Sequence, residues 1–122
     1  MDFSEIMIEK ILSKSIRDTD IDKTVFLSGW VNKRRDHGGI IFVDLRDYGG
    51  IIQIVFNPDN KEIFKEAEKL RSEFVISVTG VVKSRSQDTI NKDIPTGKIE
   101  IIAESLLIIN KSDTPPFMFN DL

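Results

Sequence analysis

The sequence predicts an all-β domain, a five-stranded Greek-key barrel with one capping helix between the third and fourth strands. Short segments rich in β-branched and aromatic residues show alternating apolar and polar positions, as in residues 40–46. Glycine-bearing turns separate the first three of these segments. One stretch with the apolar spacing of a helix follows Asn57-Pro58, between the third and fourth segments.

The first three strands are predicted to form a meander. Strand one begins at Thr24 and continues into a basic run, strand two covers residues 40–46 and strand three covers residues 51–56. Turns at residues 36–39 and 47–50 join them, because each stretch combines an aspartate with two glycines, which adopt positive φ without strain.

Alternation predicts which side chains of strands two and three face the barrel interior. The inward set is Ile41, Val43, Leu45, Ile52, Ile54 and Phe56, and the outward set is Ile40, Phe42, Asp44, Arg46, Ile51, Gln53 and Val55. Trp30 is assigned to the interior or its rim. The outer wall is therefore expected to carry one aromatic ring among polar groups.

The predicted helix begins after Asn57, which is expected to cap the free backbone amides, with Pro58 at the first helical position. Its apolar residues form a single stripe that should close one end of the barrel. These residues are Ile63, Phe64, Ala67 and Leu70.

Strands four and five are predicted at residues 74–85 and 98–110, with an irregular polar loop at residues 86–97 between them. Gly80 indicates a bend or bulge in strand four, and strand five is expected to break near Ser105. On strand four, alternation predicts that Phe74, Ile76, Val78 and Val82 lie on the buried face and that Lys83 and Arg85 lie on the opposite face.

This order of elements is the topology of the OB-fold, whose helix between strands three and four plugs one end of the barrel. We therefore divide the chain into an N-terminal extension and lead-in at residues 1–23, the barrel at residues 24–110 and the start of a linker at residues 111–122. The linker follows from Asp113-Thr114-Pro115-Pro116, because two prolines exclude helix and central strand alike.

Composition narrows the functional class. The chain has 122 residues, enough for one domain with its own core, and it has no cysteine and one histidine, which argues against thiolate and imidazole-rich metal sites. Its net charge of −3 argues against a protein that coats nucleic acid indiscriminately. Residues 1–12 carry charges among their apolar positions, unlike a signal peptide or a membrane span, so we expect a cytoplasmic protein.

Residues 29–47, reading GWVNKRRDHGGIIFVDLRD, place a basic cluster, a turn and an aromatic-bearing strand in one hairpin, which suits binding of single-stranded RNA. Together with Leu70-Arg71-Ser72-Glu73-Phe74, Val78-Thr79-Gly80 and the Thr-Pro-Pro exit, this hairpin resembles the N-terminal anticodon-binding domain of bacterial-type aspartyl-tRNA synthetases. The resemblance covers roughly residues 24–117.

The resemblance implies that the domain recognises the GUC anticodon of tRNA-Asp, with tRNA-Asn left open as a second partner. It also implies a parent enzyme that joins aspartate to tRNA with ATP and Mg²⁺ in a separate catalytic domain, so that this fragment needs no cofactor and has no catalytic residue. The parent is expected to be a homodimer mainly through that catalytic domain, which leaves a monomeric fragment open.

By the same resemblance, Phe42 stacks on the middle base of the anticodon and Gln53 reads that base. Without the resemblance, the simpler interpretation is that Phe42 is an edge aromatic packed under a loop and that Gln53 is a solvated strand residue. Lys33 and Arg35 share a parity and are the expected hairpin contacts, with lysine standing where arginine is more usual. Arg34 points the other way and is interpreted as solvated.

A second rank of contact candidates comprises Arg71, Arg85, Asn91 and Glu100, of which Glu100 is expected to accept hydrogen bonds from guanine. Contacts from residues 86–92 are not defined by the resemblance, because Gln87, Asp88 and Thr89 follow no pattern of the family. His37 is either a turn filler or, by resemblance, a residue that relaxes discrimination between tRNA-Asp and tRNA-Asn.

Other functions stay open at this level. One is the equivalent domain of an asparaginyl- or lysyl-tRNA synthetase, and another is a free-standing OB-fold protein that binds single-stranded nucleic acid or a protein. A sequence-indifferent binder should spread aromatic rings over several strands, whereas this face offers essentially Phe42. A hydrolytic site at Asp44 and Asp47 is poorly supported, because no nucleophile, base or metal set accompanies them.

Overall fold

A computed structural model describes residues 16–110 of the chain. Five strands and one α-helix make up the domain, in the predicted order, with short 3-10 turns at Asp18–Asp20 and Gln87–Thr89. The elements are β1 (Thr24–His37), β2 (Ile40–Asp47), β3 (Gly50–Phe56), α1 (Lys61–Ala67), β4 (Val75–Ser84) and β5 (Ile99–Asn110). The predictions for residues 1–12 and 111–122 fall outside the described residues.

The strands close into a barrel in the order β1-β2-β3-β5-β4, which confirms the predicted five-stranded OB-fold. All neighbouring strands are antiparallel except β3 and β5, which run parallel. β1 is long enough to pair with both β4 and β2, and its register shifts between Val31 and Lys33 as it passes from one partner to the other. This irregularity bends β1 around the barrel.

The core lies inside the barrel, and the predicted alternation is confirmed there. Every member of the inward set on β2 and β3 is at most 1% exposed. Ile63, Ala67 and Leu70 of the predicted helical stripe are buried against the same core, and Phe64 packs on it. Ile16, from the lead-in before β1, is also part of the core.

The predicted start of the helix is wrong. The side chain of Asn57 accepts a hydrogen bond from the Asp59 amide (3.3 Å), which closes a local turn through Pro58. The helix begins one turn later, where the Asn60 side chain caps it by accepting from the Ile63 amide (3.3 Å). The turn and the helix thus use separate asparagines.

The predicted bounds of β4 are also corrected, since the strand begins at Val75 instead of Phe74 and ends at Ser84. The Phe74 amide donates to the carbonyl of Arg71 (3.2 Å), so that residue still belongs to the preceding turn. The bulge predicted at Gly80 is confirmed, because the β4–β5 register shifts between Thr79 and Gly80. A β-carbon at Gly80 would lie 2.5 Å from the carbonyl oxygen of Ile102, so only glycine fits.

The predicted break of strand five near Ser105 is wrong, because β5 runs without interruption. The irregularity appears as a shift in pairing instead. Thr79 pairs with Ser105 and Gly80 pairs with Ala103, so Glu104 is left out of the ladder as a bulge.

Both predicted hairpin turns are confirmed, with tighter loops than expected. His37 pairs with Ile40, so the first loop consists of Gly38 and Gly39, at φ of 60° and 80°. In the second turn, a side-chain oxygen of Asp47 accepts from the amide of Gly49 (2.7 Å). Across residues 16–110, no helix is long and apolar enough to cross a membrane.

Candidate nucleic-acid interface

A cavity of about 520 Å³ lies on the outer wall of the barrel, and we call it the first cavity. Side chains of β1, β2 and β3 form its floor, and the segment after β4 forms one side. Its lining consists of Arg35, Asp36, His37, Phe42, Asp44, Gln53, Arg85, Thr89 and Asn91. It therefore brings together an aromatic ring, two guanidinium groups and two carboxamides.

Arg35 is held in place by two partners at the centre of this cavity. Its Nη1 donates to Asp44 Oδ2 (2.8 Å) and its Nη2 donates to Asp44 Oδ1 (3.2 Å). The same Nη2 also donates to Gln53 Oε1 (2.9 Å). The planar guanidinium matches the carboxylate in a two-point contact, which fixes its direction.

Gln53 lines the cavity as its outward parity predicts, but it is not the solvated strand residue that parity alone suggests. Its side chain is covered by neighbours and the residue is only 3% exposed. Oε1 accepts from Arg35, and Nε2 donates to Glu100 Oε1 (2.9 Å). A carboxamide has two lone pairs on oxygen and two N–H donors, so one of each makes no hydrogen bond within the described residues.

Glu100 lies behind Gln53 and does not line the first cavity. Burial raises the pKa of Glu100 above its ordinary value of 4.5, against the opposing effects of the hydrogen bond from Gln53 and the positive charge of Arg85. Because the carboxylate accepts a hydrogen bond from Nε2, it also sets which end of the Gln53 amide faces Arg35.

Arg85 is buried (8% exposed), which corrects the expectation that it lies outward beside Lys83. It follows the last residue of β4, and its backbone amide pairs with the carbonyl of Lys98 (2.9 Å). Its Nε donates to the Ile99 carbonyl (3.0 Å) and its Nη1 to the Thr89 carbonyl (3.0 Å). Burial lowers the pKa of Arg85 from its ordinary value. Within residues 16–110, Nη2 makes no hydrogen bond.

The ring of Phe42 is half-buried and stands on β2 opposite Arg35 in the β1–β2 register. It lines the same cavity as Gln53, so the expected neighbourhood of ring and carboxamide is present. His37 is exposed at the end of β1, and Asn91 lines the cavity from the loop before β5. These four side chains surround one open space.

Two of the predicted contact residues lie elsewhere. Lys33 is exposed on β1 and does not line the first cavity, although it shares a parity with Arg35. Arg71 lies after α1, where its Nη1 donates to the Leu70 carbonyl (2.9 Å). Neither residue lines the cavity that Phe42 and Gln53 share, although Lys33 lies opposite Asp44, which pairs with Gln53 on the next strand.

Arg34 is a structural residue, which corrects its interpretation as solvated. Its Nε and Nη2 donate to the two carboxylate oxygens of Asp36, both at 2.8 Å. Its Nη1 donates to the carbonyls of Glu68 (2.8 Å) and Leu70 (2.9 Å). The side chain thereby joins the hairpin to the end of the helix.

Sequence reasoning missed three residues of the cavity, Asp36, Asp44 and Thr89. The sequence places Asp44 and Asp47 together as a pair of carboxylates. In the structure, Asp44 binds Arg35, and the Asp47 side chain closes the turn instead. The outward parity of Asp44 on β2 was the available signal. No group of three or more metal-ligating side chains occurs in the described part of the chain.

A closed five-stranded barrel, a capping helix and a polar cavity with a half-buried ring on the outer wall define an OB-fold of the nucleic-acid-binding class. Over residues 25–109 the sequence matches the tRNA anti-codon family, described as an OB-fold nucleic acid binding domain. The chain belongs to this family.

Its relatives include aminoacyl-tRNA ligases. It is 57% identical over 107 residues to the aspartate–tRNA(Asp/Asn) ligase of Halothermothrix orenii, covering 87% of this chain and 18% of that protein. It is 49% identical over 116 residues to the aspartate–tRNA ligase of Oceanobacillus iheyensis, covering 94% and 20%. The chain thus spans about a fifth of the length of these relatives.

Among solved structures, the asparaginyl-tRNA synthetase of Pyrococcus horikoshii in complex with asparaginyl-adenylate is 32% identical, with a TM-score of 0.73. The match covers 95% of this chain and 26% of that one. An OBody bound to hen egg-white lysozyme has a TM-score of 0.74 at 24% identity, which shows the fold alone.

Proposed function

We propose that the domain recognises the GUC anticodon of tRNA-Asp, as the N-terminal domain of an aspartate–tRNA ligase. The observation that carries the proposal is the first cavity, where a half-buried ring stands beside a carboxamide with one donor and one acceptor to spare. A single-stranded loop offers unstacked bases, which can stack on the ring and pair with the amide through their Watson–Crick edges.

In this proposal Phe42 stacks on the middle base and Gln53 reads its edge. Uracil presents an N–H donor beside a carbonyl acceptor, which complements the free oxygen lone pair and the free N–H of the amide. Arg35, Arg85 and Asn91 border the same space and are assigned to the neighbouring bases or phosphates. Glu100 is assigned to holding Gln53, with contact to guanine as its second role.

The parent enzyme would attach aspartate to tRNA-Asp with ATP and Mg²⁺, which we place in a catalytic part separate from this domain. The names of relatives that share about half of the sequence support this assignment. We further propose that the parent is cytoplasmic and homodimeric. Lys33 and Arg71, which lie outside the first cavity, are assigned to the RNA backbone beyond the three anticodon bases.

Binding to short RNA hairpins tests the proposal. We expect the hairpin with the GUC loop to bind most tightly and each change of the middle base to cost on the order of 1–3 kcal/mol. Phe42→Ala should cost roughly 1–3 kcal/mol on the same hairpin through lost stacking. Fluorescence anisotropy at fixed salt measures both effects.

The matched control is Phe64→Leu, an apolar change on α1 away from the cavity lining. It should leave the preference among loops unchanged. Equal affinity of the wild-type domain for all loops would refute the assignment to the anticodon.

We also propose that His37 relaxes discrimination at the third anticodon base, so that tRNA-Asn is accepted as well. Its exposed position on the cavity rim supports this, as does the name Asp/Asn of several relatives. His37→Leu should then raise the preference for GUC over GUU loops. An unchanged ratio of the two affinities would reject the idea without affecting the main proposal.

A further inference from the structure

A second cavity, of about 380 Å³, adjoins the first one. Its walls come from the lead-in before β1, residues 16–18, from the loop before β5, residues 90–92 and 94–98, and from the first residue of β5, Ile99. Asn91 lines both cavities, so the two spaces border the same residue. A strand of nucleic acid bound in the first cavity would therefore have the second beside it.

The second cavity is basic. Arg17, Lys92 and Lys98 line it, against Asp18 as the acidic member of the lining. Arg17 is near Asp20, whose pKa it helps to lower, although the hydrogen bond from the Arg17 backbone amide is the main cause. Within residues 16–110, the ammonium groups of Lys92 and Lys98 make no ion pair or hydrogen bond, so both are available to a ligand.

The arginines of the first cavity are already engaged, by contrast. Arg35 is paired with Asp44, and Arg85 donates to two backbone carbonyls. RNA carries one negative charge per nucleotide, and contacts to phosphates supply much of its binding energy. The first cavity suits reading bases, and one of its two guanidinium charges, that of Arg35, is already paired with Asp44.

We propose that the second cavity binds the sugar-phosphate backbone of the RNA next to the anticodon, with Lys92 and Lys98 as phosphate contacts. This inference rests on the proposed function. A backbone is the occupant that fits, because the described lining has no aromatic ring on which a base could stack. The lysines also flank the loop whose Asn91 closes the first cavity, so the RNA passes over Asn91.

The double variant Lys92→Gln and Lys98→Gln tests the inference with GUC hairpins over a series of salt concentrations. Neutralising two phosphate contacts on a single strand should reduce the slope of log affinity against log salt by about 1.4, or about 0.7 for each. The loss in affinity should be the same for every loop sequence, because phosphates carry no sequence information.

The matched control is Lys61→Gln with Lys65→Gln. It removes the same charge from exposed positions on α1, outside the lining of both cavities. The control should leave the salt slope within about 0.3 of the wild-type value. If both double variants change the slope equally, the effect is one of total charge and the second cavity is not a binding site.

Methylphosphonate substitution locates the contact on the RNA. Replacing single phosphates beside the anticodon with this uncharged group should weaken wild-type binding at one or two positions and have no effect at those positions in the Lys92→Gln, Lys98→Gln variant. If the loss of affinity caused by the methylphosphonate is as large in the lysine variant as in the wild type, the two effects are independent and the inference is wrong. Failure of the anticodon proposal is recognised separately, as equal wild-type affinity for all loop sequences, and the salt slope stays measurable in that case.

Discussion

At the residue scale, Asp44 decides where the guanidinium of Arg35 points. The pair is partly exposed, with 38% of the Arg35 side chain and 20% of the Asp44 side chain accessible, so solvent screens part of its attraction. The ion pair matters more for the orientation of the Arg35 guanidinium than for stability, because the same guanidinium also donates to Gln53 Oε1. Asp44 is therefore a positioning residue for the carboxamide.

Asp44→Asn should keep the shape of the side chain and remove its charge. Arg35 is then free to leave Gln53, and we expect discrimination at the middle base to fall by on the order of 1 kcal/mol. Affinity for mismatched loops should rise, because a negative charge near the RNA is lost. Titrations with GUC hairpins and with hairpins changed at the middle base measure both quantities.

Asp59→Asn is the control, since Asp59 is exposed in the turn before α1 and does not line the first cavity. It makes the same change of charge and should leave the discrimination ratio unaltered. If Asp44→Asn also leaves the discrimination between GUC and mismatched hairpins unchanged, Asp44 does not position the Gln53 carboxamide.

Glu100 gives the domain a predictable dependence of stability on pH. Burial raises its pKa above 4.5 in the folded state, so the folded protein binds the proton more tightly than the unfolded chain does. The contribution of Glu100 to stability is therefore fully present below about pH 4.5, and it is lost as the pH rises through the pKa of the folded state.

Denaturant unfolding from pH 4 to 8 measures this effect as a difference between the wild type and Glu100→Gln. The stability of the wild type relative to the variant should decrease as the pH rises above 4.5 and level off above the folded pKa. Asp36 has its pKa lowered from 3.8 by Arg34, so it acts at lower pH and with the opposite sign. A constant difference across the range would contradict the prediction for Glu100.

At the scale of elements, the end of α1 is held by the hairpin. The helix is short, ending at Ala67, and backbone amides of the next three residues already bond its last carbonyls. Arg34 of β1 holds the turn that follows the helix, because it donates to the carbonyls of Glu68 and Leu70 while Asp36 fixes the guanidinium from the other side. The capping helix and the β1–β2 hairpin are thus joined through one side chain.

Arg34→Lys should destabilise the domain by about 1–3 kcal/mol, because a single ammonium cannot replace four donors in a planar arrangement. The free energy of unfolding in urea measures this. Base discrimination should stay as in the wild type, since Arg34 does not line the first cavity. Arg46→Lys is the control, because Arg46 makes a single longer hydrogen bond, to Asn32 at 3.3 Å. Equal stability of the two variants would contradict this role for Arg34.

At the scale of the whole molecule, the barrel is closed by its shortest junction. β3 and β5 align only at Ile54 with Ile101 and at Val55 with Ile102, whereas β4 and β5 pair along their whole lengths. The hydrogen bond between Gln53 and Glu100 bridges the same two strands at the adjacent position. The first cavity, which Gln53 lines, therefore borders this short junction.

Hydrogen exchange should reveal this order. Amides that join β3 to β5 should exchange faster than those that join β4 to β5, because local opening has a lower free energy where fewer bonds break. Adding the GUC hairpin should slow exchange at the β3–β5 junction more than elsewhere, since a base on Gln53 holds both strands. Uniform protection, or slowing confined to the loops, would contradict this prediction.

The local rules of the sequence were sufficient for the fold. Alternation placed every inward residue of β2 and β3 correctly, and glycine pairs located both hairpin turns. They were less reliable where two residues compete for one role. Asn57 and Asn60 are equally suitable caps, and the choice between them depends on how the chain enters the helix.

Taken by itself, the sequence determined the order of elements along the chain, the inward faces and the outward positions of Phe42 and Gln53, because these follow from chain periodicity over a few residues. Only the tertiary structure decided that Gln53 is buried between Arg35 and Glu100, that Arg34 holds the helix and that Arg85 is covered. The reason is physical. The partners of these polar groups lie on other strands and loops, and parity says which face a side chain is on without saying what covers it.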